Sequence, residues 1–126
     1  MAKTRSIAWL DDPEEKDYLA AHSFLSMVLA PSTLDSVIAD LRTAPLGNWA
    51  AKDLLRAAAL PPLRPKQSAE VAEKLEKIKH GTPISPVLLV GGIREFLVIG
   101  DGYHRASAAY RVDEDARVPG RLLWTT

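Results

Sequence analysis

Residues 97–111 read LVIGDGYHRASAAYR. Three branched apolar residues come first, two glycines then flank an aspartate, and small residues follow Tyr103-His104-Arg105. That order predicts a strand, a tight turn and a helix over Tyr103–Val112, since branched side chains suit strands, glycine frees the turn and alanine favours helix. A turn alone needs neither histidine nor arginine. The unpaired N–H groups at a helix start, with the positive end of its dipole, favour an anion. His104 and Arg105 add cationic donors where acids would ordinarily stabilise the helix, so the stretch reads as an anion site with phosphate as its natural resident.

In this reading Gly100 and Gly102 let the backbone approach the ligand. Asp101 accepts a proton from a hydroxyl or holds a cation such as magnesium. The other reading is scaffold. Asp101 caps the helix, the glycines serve turn geometry, and His104 and Arg105 meet solvent or pair with Asp113, Glu114 and Asp115. A Gly-x-Gly turn by itself leaves both open.

Working outward, SPVLLV and EFLVIG are short apolar runs joined by Gly91-Gly92-Ile93-Arg94, which predicts a hairpin. Downstream, VPGRLLW predicts a closing strand. Upstream, Ser68 caps a predicted helix AEVAEKLEKIKH with Val71, Leu75 and Ile78 as its stripe, Gly81 as its stop, and a solvated face of Glu70, Glu73, Lys74 and Lys77. PPLRP is an extended connector, because residues before proline avoid helical angles. WAAKDLLRAAAL reads as helix by propensity alone.

Nearer the start, Asp12 as cap and Pro13 in the first turn predict a helix through EEKDYLAAHSFLSMVLA, stopped by Pro31. Ser32 then precedes a second helix with Leu34, Val37, Ile38 and Leu41 on one stripe. Together they form a helical hairpin. The expected class is α+β, with helices at 1–46 packed on an α+β core at 47–126, in one compact domain.

Composition narrows the function. A chain of 126 residues reads as one domain able to bury about two-thirds of its unfolded surface. Sixteen Lys plus Arg balance sixteen Asp plus Glu, so the broad positive field of nonspecific nucleic-acid binding is missing and DNA is disfavoured as a partner. There are no cysteines, which excludes disulfides, thiolate nucleophiles, zinc-thiolate sites and iron–sulfur clusters. MAKTRSIAWLDDPEEKDY carries no signal-peptide core, and no run approaches the roughly twenty apolar residues of a membrane span. A cytoplasmic location is the expectation.

His22, His80 and His104 have no metal-ligand spacing, and Ser107 lacks a Gly-x-Ser-x-Gly elbow. His80 reads as a cation at a helix end, His22 as a core-edge residue, and Trp9 and Trp49 as core packing. Arg64 and Lys66 in the connector are either solvated or in reach of the same anion.

The run SPVLLV, the hairpin, FLVIGDGYHRASAAYR and VPGRLL, preceded by LRPKQSAEVAEKLEKIKHGTPI, resembles the ParB/sulfiredoxin-like superfamily over roughly 47–124. The resemblance implies a strand at 48–52 and a short helix at 53–58, against alanine propensity, and an edge strand beginning at Val118-Pro119. It implies that Gly102, His104 and Arg105 bind phosphate oxygens, with Gly100, Tyr103, Arg64 and Lys66 around them. Tyr103 stands where sulfiredoxins carry cysteine and ParB proteins glutamate, so sulfinic-acid reduction is excluded. The turn is most similar to the Asp-Gly-His-His-Arg form of the superfamily's free serine kinases, which points to Asp101 and His104 as catalytic. The kinase's separate catalytic glutamate has no evident counterpart here.

The expected function is phosphate or nucleotide binding, with phosphotransfer or nucleotide hydrolysis at the turn and ATP, ADP or CTP with magnesium as ligand. No metal site is expected beyond Asp101 with magnesium. The alternatives are a noncatalytic partner-binding or homodimeric module, or a DNA-associated ParB relative.

Overall fold

The computed structural model describes residues 6–125. In chain order they form helices α1 (Glu15–Leu25) and α2 (Pro31–Leu41), strand β1 (Leu46–Ala50), helices α3 (Ala51–Ala57) and α4 (Ala69–Lys79), strands β2 (Val87–Gly91) and β3 (Val98–Asp101), helix α5 (Tyr103–Val112) and strand β4 (Arg117–Trp124). This is an α+β fold on one four-stranded sheet of order β1-β4-β2-β3.

The sequence boundaries shift for identifiable reasons. Helix α1 starts two residues past Pro13, because Glu14 and Asp17 form a reciprocal capping box. Asp12 accepts from Arg121 Nη2 at 2.9 Å instead of capping. Pro31 does not terminate α1, which ends at Leu25. It opens α2 from the first helical position, where its missing N–H costs nothing. Ser68 does cap α4, accepting from the Val71 N–H at 3.2 Å. The strand and short helix expected at 48–52 and 53–58 are β1 and α3, each displaced toward the N-terminus.

Strand β4 is interior, not at an edge. It pairs antiparallel with β1 and parallel with β2. The Ala51 N–H donates to Ala116 O at 2.9 Å, which fixes the phase of the β1–β4 ladder. Asn48 and Pro119 therefore face each other in a non-hydrogen-bonded pair, where a missing proline N–H breaks no bond to β1. The Asn48 carbonyl points off the sheet and accepts from Arg117 Nη2 at 2.9 Å, while Arg117 Nε donates to Asn48 Oδ1 at 2.8 Å.

Alternation along the strands feeds two cores. Leu88, Val90 and Val98 pack under α1 and α2 with Leu25, Leu34, Val37 and Leu41. Val87, Leu89, Ile99 and Val118 pack under α3 and α5 with Leu54, Leu55, Ala106 and Ala109. Each large side chain so buried contributes about 1.5–3 kcal/mol. The helical hairpin is thus one outer layer of the sheet. Trp9 forms an isolated bridge with Ile84 and packs beside α4. Among the described residues no helix is long and apolar enough to cross a membrane.

Candidate functional site

The turn after β3 is built by one glycine. Gly102 caps α5 at φ +117°, and a Cβ there would stand 2.4 Å from Val87 Cγ1. Both facts demand glycine, so the residue brings α5 down onto β2. Gly100 is a buried strand residue with Ala21 and Leu25 at 3.5 Å from where its Cβ would be. Asp101 does not cap the helix; its carboxylate takes the Arg105 guanidinium.

Arg105 is 6% exposed. Its Nη2 donates to Asp101 Oδ2 at 2.6 Å and its Nη1 to Asp17 Oδ1 at 3.1 Å. The sequence reading made Arg105 a phosphate ligand open to the anion. In the structure both terminal nitrogens are already engaged by carboxylates, because a buried guanidinium needs opposite charge beside it. Asp17 comes from α1 and is itself buried. Its Oδ2 accepts the Glu14 N–H at 2.7 Å, and Glu14 Oε1 accepts from Ser85 Oγ at 2.9 Å.

The two carboxylates are driven apart electrostatically. Burial raises Asp101 most, and the neighbouring Asp17 carboxylate adds to it beyond what Arg105 offsets, so Asp101 is pushed up to about 6. Burial also opposes the charge on Asp17, but Arg105, the Glu14 amide and the Ser85 hydroxyl outweigh it, and Asp17 is held below the usual carboxylate range. A pair with separated values can hold one proton near neutrality, the condition for acid–base work.

This triad floors a cleft of about 160 Å³ between α1, α4 and the start of α5. Lys16, Lys74, Lys77 and His104 line it together with Glu14 and Glu70. His104 Nδ1 lies 3.4 Å from Glu70 Oε2, and its ring stacks on Tyr103 with centroids 6.0 Å apart. A second cavity of about 340 Å³ lies on the other side of the turn, where Phe24, Leu60, Leu97 and Tyr103 give it an apolar lining. The two share Asp101 and His104.

Arg64 and Lys66 line neither cavity. Their connector is strapped to α5 by a stripe of spacing four. The Tyr103 hydroxyl donates to Pro61 O at 2.5 Å, the Leu63 N–H donates to Ser107 Oγ at 3.1 Å, and Arg111 donates to Leu63 O at 3.1 Å and Pro62 O at 2.8 Å. Tyr103 therefore spends its hydroxyl on the connector, away from the cleft. The acidic loop does not reach His104 or Arg105 either: Asp115 pairs with Lys52 at 2.8 Å, and the Lys52 N–H donates to Glu114 O.

Sequence reasoning missed Asp17, Glu14, Ser85 and the lysines of α4 and α1 as cleft residues. Glu14 and Asp17 carry no local mark of a tertiary role, because acids at a helix start are accounted for by the helix end itself, where these two form the capping box. Lys74 and Lys77 looked like a solvated face. Among the described residues no three His, Cys, Asp or Glu side chains are grouped to hold a metal ion, and Asp101 is committed to Arg105. The residues therefore do not fit magnesium bound by the protein alone. No family model, curated protein or solved structure matches the chain.

Proposed function

We propose that this protein binds a phosphate ester at the α5 turn and transfers its phosphoryl group, in the manner of the ParB/sulfiredoxin-like superfamily that its sequence resembles. The observation that carries the reading is the Asp17–Arg105–Asp101 triad at the base of a cleft rimmed by Lys16, Lys74, Lys77 and His104. The lysines and His104 hold the phosphate oxygens, helped by the free N–H groups of the first turn of α5. Gly102 sets the direction of those N–H groups. Arg105 acts by holding Asp101, and Arg64 and Lys66 drop out of the binding set.

Asp101, at about 6, is ionised above neutrality and accepts the proton of an acceptor hydroxyl. The new O–P bond forms as the bond from phosphorus to the leaving phosphate oxygen breaks. The apolar cavity beside the turn suits a base or other ring attached to the phosphate, which favours a nucleotide such as ATP, ADP or CTP over free phosphate.

The test is thermal stability in ATP, ADP, CTP, GTP, pyrophosphate and phosphate, with and without magnesium. A ligand at about a hundred times its Kd adds roughly 2.7 kcal/mol. A nucleotide-selective rise that disappears in Lys74→Ala/Lys77→Ala and in His104→Ala is the expected result. No rise with any anion overturns the site.

A second reading rests on a different observation. Leu19, Phe24 and Met27 are exposed on or just after α1, at 63%, 45% and 87%. Such exposed apolar side chains suit a noncatalytic module that docks a protein or a second copy of this chain. Analytical ultracentrifugation tests the homodimeric form of the second reading, which requires a mass above the monomer that phosphate binding does not. DNA association has no comparable support.

A further inference from the structure

Beyond α3, away from the Asp101 cleft, the sheet carries a cavity of about 420 Å³. Its lining includes Trp49 of β1, Trp124 of β4, Asp53 of α3, and Arg94, Glu95 and Phe96 from the loop between β2 and β3. None of these lines the Asp101 cleft, although Arg94 and Leu97 also border the apolar cavity beside the turn. The size falls within the roughly 300–1,000 Å³ of small-molecule sites.

Register brings the rings together. Trp49 pairs with Val118, and Leu122 and Trp124 follow Val118 at even spacing, so all of them point to one face. Glycine then lets the indoles lie down. A Cβ at Gly91 would be 2.5 Å from the Trp124 ring, and one at Gly47 would be 2.9 Å from the Trp49 ring. Trp124 nonetheless stays 64% exposed and Phe96 49%.

The uncovered faces set this place apart. Elsewhere arginines lie over aromatic rings: Arg42 sits 4.5 Å from the centroid of the buried Tyr18 and Arg111 5.3 Å from that of the half-buried Tyr110. Among the described residues no cation lies over Trp49, Phe96 or Trp124, and none of these rings stacks on another. Two carboxylates and one guanidinium line the cavity, a net negative charge. The negative faces of the rings and the surplus carboxylate favour the same ligand charge.

We infer that this cavity binds a small organic ammonium, an amine bearing alkyl or aryl groups. The cationic head lies against the indoles with Asp53 and Glu95 beside it. The apolar part rests on Leu54, Leu89 and Leu122. The ligand is a free molecule rather than an extended peptide. Strand addition at β1 would have to displace Arg117 from the outward Asn48 carbonyl.

The experiment titrates the full chain with phenyltrimethylammonium, its neutral isostere tert-butylbenzene, and benzoate, following the indole N–H resonances. The ammonium is expected to bind about tenfold more tightly than the isostere, moving the Trp49 and Trp124 signals and not that of Trp9. Asp53→Asn with Glu95→Gln should weaken it several-fold, and Arg94→Gln should strengthen it; these residues are on the surface, so the variants test the site without threatening the fold. Equal binding of the isostere, preference for benzoate, or no binding of any of the three would overturn the inference. The phosphate-site variants leave this titration unchanged, so the two proposals fail separately.

Discussion

Arg105 reaches across 88 positions of sequence to donate to Asp17 Oδ1 at 3.1 Å, while the same guanidinium holds Asp101. One cation thus ties the first helix to the turn that opens the last. Removing it leaves a buried acid, Asp17, and its half-buried neighbour Asp101 with no counter-charge. Arg105→Met should cost about 3–5 kcal/mol in urea unfolding. Adding Asp17→Asn and Asp101→Asn to that variant should recover part of the loss, since the acids no longer need a partner. A loss under 1 kcal/mol in the single variant would mean that water reaches the triad freely.

Asp101 makes stability fall as pH rises over one window. Its folded value of about 6 lies above the ordinary 3.8, so the folded state keeps a proton that the unfolded chain has released. Stability from this group should decline between about pH 4 and pH 6, by no more than about 3 kcal/mol, and then level off. Asp17 works in the opposite sense, because its depressed value contributes stability that is lost as pH falls below the ordinary carboxylate range. The difference in unfolding free energy between the wild type and Asp101→Asn isolates the first effect. A difference that stays flat across the window contradicts it.

Gly102→Ala combines a left-handed φ of +117° with a clash at 2.4 Å against Val87. Strain and overpacking each cost about 1–3 kcal/mol, so the variant should lose about 2–6 kcal/mol. Val87→Ala in the same background should restore some of it by making room. If Val87→Ala only adds to the damage, the backbone angle is the whole effect.

Ser107 is fully buried and accepts the Leu63 N–H. Ser107→Ala strands that donor and should cost about 1–3 kcal/mol. The connector should then open locally, which limited proteolysis between residues 61 and 67 would register before global unfolding. Unchanged cleavage would assign the hold on the connector to Tyr103 and Arg111.

The strand–turn–helix at 97–112 was legible because each signal is local: branched residues, a glycine pair, then small helix formers. The cap at Ser68 was legible for the same reason. Two prolines illustrate what was not. Pro31 carries no mark that separates stopping one helix from starting the next, since either role tolerates its missing N–H. Pro119 suggested an edge strand, and only the ladder phase set by Ala51 and Ala116 lets it sit inside the sheet. The candidate site was half legible. Asp101 and His104 do line one cleft, but Arg105 looked available because its partner Asp17 lies on a distant helix. No local pattern announces a charge pair of that separation.

The order β1-β4-β2-β3 has a consequence for how the chain is made. The strand that emerges last from the ribosome lies between two that emerge earlier, so β1 has no neighbour until the far end of the sheet's sequence appears. Assembly cannot proceed by adding strands in the order of synthesis. Until β4 arrives, nascent chains hold β1 and β2 apart as bare edges, and folding waits for a long-range closure of the kind that is slow and prone to association. Chains stalled before Arg117 should therefore be the species that chaperones and proteases meet.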